Sequence, residues 1–111
     1  MSTPKQYRKE ATMWVYTALI TVTATVAHLF VPAVAAWIWG LAGGIGIFAL
    51  GLWGFKGSTL GDYHAYGATA LAILCGGLIH AAIGGSFIAL LIGVAVAIVM
   101  AALCESLARN P

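Results

Sequence analysis

The sequence predicts an all-α integral membrane protein of four transmembrane helices arranged as two helical hairpins. Three observations carry that expectation. The 111 residues are 62% hydrophobic and 7% charged, against about a quarter charged in ordinary soluble domains. Between Ala11 and Cys104 the only formal charges are Lys56 and Asp62, so 45 uncharged residues (Ala11 to Phe55) precede the polar loop and 42 (Tyr63 to Cys104) follow it. A hydrocarbon core about 30 Å thick is crossed by about 20 helical residues, so each run has to cross twice.

Taken in order, residues 1–10 read as a polar cytoplasmic tail and 11–111 as a single four-helix membrane domain. The first crossing is expected over about 11–31, and Pro32 ends it. The uncharged turn Pro32 to Ala36 places Pro32 near the start of a second helix over about 35–55, where a missing N–H costs nothing. After the loop Lys56 to Asp62, Asp62 is a suitable amino-terminal cap for a third helix over about 63–83. Gly84 and Gly85 break that run, and Ser86 can open a fourth over about 86–107.

Charge gives the orientation independently of hydropathy. Lys5, Arg8, Lys9, Lys56 and Arg109 all fall on one side of a four-crossing chain, and neither hairpin turn carries a basic residue. By the positive-inside rule both termini are expected in the cytoplasm, which for a chain of this type implies a bacterial inner membrane. Trp14, Tyr16, Trp53, Tyr63 and Tyr66 would mark the charged interface, and Phe30, Trp37, Trp39 and Phe87 the opposite one. A rival reading treats residues 1–35 as a secretory signal cleaved after Ala33-Val34-Ala35. Its apolar run is about 20 residues, longer than the 7–15 of a signal.

An offset of 52 residues places Thr17-Ala18-Leu19 on Thr69-Ala70-Leu71, His28 on His80, and Pro32 on Gly84. Either the chain is a parallel duplication, as in some transporters, or helical composition produces the match. At 100° per residue Thr17, Thr21, Ala24, Thr25 and His28 share one arc of the first helix, and Thr69, Gly76, Gly77 and His80 the matching arc of the third. Both arcs are expected to face the bundle interior or a wet cavity, giving a polar pathway of Thr17, Thr21, Thr25, His28, Thr69 and His80. The alternative for the threonines is bonding to their own preceding turn. Small residues at Ala89, Gly93, Ala97 and Ala101, and at Gly40 and Gly44, form flat strips for close helix packing. They offer more such face than one bundle uses, so self-association is expected.

His28 and His80 have three readings: structural hydrogen bonding, titration in proton or cation movement, and axial ligation of a b-type haem with Gly76 and Gly77 leaving room. No cofactor is assigned. His64, beside Asp62 and Tyr66, reads as an interfacial anchor, and Cys75 and Cys104 as packing residues. Gly43-Gly44-Ile45-Gly46 lies in an apolar helix and not after a strand, so it is no phosphate cradle. No acid lies deep in a helix and no Ser-His-acid set is suggested, so an enzyme is not expected. A basic stripe for nucleic acid is also missing.

Trp53-Gly54-Phe55-Lys56-Gly57, with the length and four crossings, resembles the small multidrug resistance transporters. The similarity covers only that run, which joins the second and third helices here instead of the third and fourth. The glutamate that such a transporter carries within its first helix is missing, with Glu10 only at the edge, so the coupling function is not implied. Size and basic ends are also similar to phage holins. The expected function is therefore an oligomeric pore, permease-like or accessory channel component of the membrane. The alternatives are a structural or assembly subunit of a larger membrane complex, a holin-like lesion former and a bis-histidine haem anchor. The implied partners are the lipid bilayer, further copies of the chain or other membrane subunits.

Overall fold

In a computed structural model, which describes residues 4–30, 33–57 and 61–109, the chain forms four helices: α1 (Pro4–Phe30), α2 (Ala33–Phe55), α3 (His64–Ile83) and α4 (Phe87–Arg109). Each is long and apolar enough to cross a membrane. Their boundaries follow local chemistry. Gly57, at φ 85°, lies just beyond the end of α2, in a conformation that disfavours side chains. At the end of α3 the Gly85 N–H donates to the Ala82 carbonyl at 3.0 Å and the Ser86 N–H to that of Ala81 at 2.9 Å. With Gly85 at φ 101° this is a Schellman stop, and α4 begins at the next residue.

Three boundaries differ from the expectation. Residues 4–10 are not a tail but the first two turns of α1, because their side chains have partners at the end of α2 and just beyond it. The Gln6 amide donates to the Gly54 carbonyl at 2.8 Å, and the Lys9 ammonium to the Lys56 carbonyl at the same distance. Carbonyls at a helix end lack intrahelical donors, so this segment caps α2 from outside. Asp62 does not cap α3: a 3-10 turn, Gly61–Tyr63, intervenes, and the residue before the helix is Tyr63, with no side-chain capping bond. The second helix starts at Ala33, and the expected turn residue Pro32 lies outside the described residues.

Packing follows the ring α1, α2, α3, α4, with α1 also touching α3 across the middle. The most extensive contacts join α1 to α4 and α2 to α3, while α3 and α4, neighbours in sequence, meet more sparingly. Glycine sets the closest approaches. A Cβ on Gly51 would lie 2.9 Å from Ala68, and one on Gly54 would overlap Met13. The core is small: Met13, Ile47, Leu71 and Cys75, flanked by Trp14, Ile20, Leu50 and Phe55. Large apolar side chains instead cover the outside, among them Phe30, Ile45, Ile73, Ile88 and Leu91.

Candidate functional site

His28 and His80 line one groove. It is an open hollow of about 340 Å³ between α1, α2 and α3, walled by Leu41 and Ile79, and bared by Gly40 and Gly76. Neither glycine has a neighbour within 4 Å of where a Cβ would stand, so the hollow exists because two side chains are missing. Each histidine stands in the last turn of its helix. His28 is half-buried and His80 exposed. The two residues matched by the 52-residue offset therefore share a surface, although they come from helices that meet only across the bundle.

The threonines are placed differently from one another. Thr17, Thr21 and Thr25 are buried at 3%, 3% and 1% exposure, on the inward arc expected for the first helix. Their hydroxyls do not form a chain of polar sites. Thr21 donates to the Thr17 carbonyl at 2.8 Å and Thr25 to the Thr21 carbonyl at 2.9 Å, which is bonding to the preceding turn. The Thr17 hydroxyl is buried without a partner among the described residues. On α3 the expected arc is not the inward one: Thr69, Gly76, Gly77 and His80 are exposed, and Ala68, Leu71, Cys75 and Ala82 are buried. The reason is apolar matching, since Leu71 and Cys75 join the core and Ala68 receives Gly51. Thr69 bonds its own turn, at the Ala65 carbonyl, from an exposed position.

A second hollow of about 490 Å³ opens between α1, α3 and α4, with Thr17, Thr21, Leu74, Cys75 and Val96 in its lining. It is almost wholly apolar and reflects the sparing contact of α3 with α4. The strip on α4 is used inside the bundle: a Cβ on Gly93 would overlap Leu78 of α3, and Ala97 is buried, with Ala89 and Ala101 half-buried. Gly40 and Gly44 of α2, by contrast, face open space. The glycines that pack α2 are Gly51 and Gly54, which the sequence reading did not single out. They sit four and seven residues after the buried Ile47, a spacing that puts all three on one helix face.

Among the described residues no three of His, Cys, Asp and Glu converge on a metal position. Cys75 and Cys104 are free and buried, and His64 is half-buried at the start of α3. Compared with protein families, curated proteins and solved structures, the chain matches none. The short likeness of Trp53 to Gly57 to multidrug transporters therefore stands without a wider match.

Proposed function

We propose that the chain crosses a bacterial inner membrane four times as two antiparallel hairpins, with both termini cytoplasmic, and works as an oligomeric pore or permease-like component. In this reading the solute-facing surface is the His28 and His80 groove at the junction between copies. The observation that carries it is the groove itself: two imidazoles on an open surface, next to the bare backbones of Gly40 and Gly76. Close helix association in lipid depends on such small faces, because lipid tails are as apolar as leucine. Ionisable side chains at membrane depth face partners or water-filled spaces, which a second copy would provide here. A route through one bundle is disfavoured, since Met13 and Ile47, at 0% and 1% exposure, close its centre.

The test is proton and small-cation flux in proteoliposomes containing the full chain, with cross-linking of the same preparation. Flux that falls on His28→Ala and on His80→Ala, with cross-links joining Gly40→Cys of one copy to its counterpart, supports the reading. Strictly monomeric protein without flux overturns it. Copurification with a stoichiometric membrane partner, together with silent flux, would favour the structural-subunit reading instead.

A further inference from the structure

At the opposite end of the bundle, the first turns of α1 and the end of α2 enclose another hollow. Lys5, Arg8, Lys9 and Thr12 line it from α1 and Trp53 from α2, with Gly57 beyond, and it holds about 630 Å³. Gln6 donates to the Gly54 carbonyl near the end of α2 and Lys9 to the Lys56 carbonyl just beyond it, so two acceptors beside the hollow already have donors. The Lys9 ammonium also lies 5.7 Å from the centre of the Trp53 ring, within reach of its π face. Lys5 and Arg8 are exposed, and Arg109 at the far end of the chain pairs with Glu105. Glu10, the nearest acid in sequence, takes a hydrogen bond from Gln6 and acts electrostatically on Cys104 of α4. It is not part of the lining. Three cations, a hydroxyl and an indole thus meet with no carboxylate among them.

We propose that this hollow binds the headgroup of an anionic phospholipid, with its phosphate held by Lys5 and Arg8 and its glycerol end against Trp53. Arginine pairs with phosphate through parallel N–H bonds, and tryptophan favours headgroup depth. A lipid fits better than a soluble phosphate because the surface continues in the right chemistry. Below Thr12 the same side of α1 exposes Val15, Tyr16 and Leu19, at the three- to four-residue spacing of one helix face. That face is an apolar track for acyl chains, leading from the cations into the membrane. The inference rests on the membrane-spanning reading but not on pore activity or self-association.

The experiment places the full chain in nanodiscs of equal phosphatidylglycerol and phosphatidylcholine and counts retained lipids by native mass spectrometry after release. The wild type is expected to retain phosphatidylglycerol selectively. At about fivefold for each basic residue near a membrane surface, Lys5→Gln with Arg8→Gln should lower that selectivity about 25-fold, while Arg109→Gln leaves it unchanged. Selectivity that survives the double substitution overturns the proposal. So does an equal fall with Arg109→Gln, which would mean a diffuse surface potential. Displacement of the bound lipid by equimolar glycerol 3-phosphate would mark a soluble-phosphate site and also overturns it. Flotation with mixed vesicles separates the two levels: a chain that floats without lipid preference refutes the headgroup site alone, and one that does not float refutes the membrane reading as well.

Discussion

The side-chain amide of Gln6 donates to the carbonyl oxygen of Gly54 at 2.8 Å, joining the start of α1 to the end of α2 across 48 positions of sequence. Gln6 is buried, so loss of the amide leaves a helix-end carbonyl unpaired and away from water. Leaving a buried acceptor unmatched costs about 1–3 kcal/mol. Gln6→Ala is therefore expected to lower stability by that amount in reversible unfolding from mixed micelles. Lys9→Ala, which removes an exposed bond, should have a smaller effect. Equal, negligible effects of both would mean that the first turns of α1 do not cap α2.

Glycines of α2 divide into those filled by the chain's own helices and those left bare. Gly51→Ala sets a methyl against the backbone of Ala68 at 2.9 Å, where no side chain can swing aside. Overpacking of this kind costs about 1–3 kcal/mol, so the variant should unfold earlier. Gly40→Ala meets nothing within 4 Å and should leave the thermal midpoint of the monomer unlowered, since alanine is the better helix former by up to about 1 kcal/mol. If copies associate through that face, Gly40→Leu will shift size-exclusion profiles toward monomer while Gly51→Ala will not.

Sequence made the four helices legible because the only charges in 94 consecutive positions, Ala11 to Cys104, are Lys56 and Asp62, and apolar runs of that length have few other solutions. The inward arc of α1 was also legible, since Thr17, Thr21 and Thr25 stand out against Val and Leu. The inward arc of α3 was not. Its polar residues mark an exposed face, while Leu71, Cys75 and Ala82, which look like any other apolar residues in a lipid-facing helix, make the contacts. In helices apolar on every face, apolar residues stand equally inside and outside the bundle, so periodicity loses the contrast on which it depends. The polar first turns of α1 escaped for the opposite reason: charge suggested a solvated tail, and the partner carbonyls that hold Gln6 and Lys9 carry no side-chain signal at all.

Thr17 separates two routes for any solute. Its hydroxyl is buried without a partner among the described residues, whereas those of Thr21 and Thr25 bond their own helix. An unmatched buried hydroxyl costs about 1–3 kcal/mol, and an apolar group of the same shape removes the penalty. Thr17→Val is therefore expected to raise stability, in contrast to most core substitutions, with Thr21→Val neutral or destabilising. Because the proposed route runs between copies along His28 and His80, Thr17→Val should also leave proteoliposome flux unchanged. A variant that is more stable yet loses flux would move the route into the α1, α3 and α4 hollow, where Thr17 would be the polar step that a solute uses.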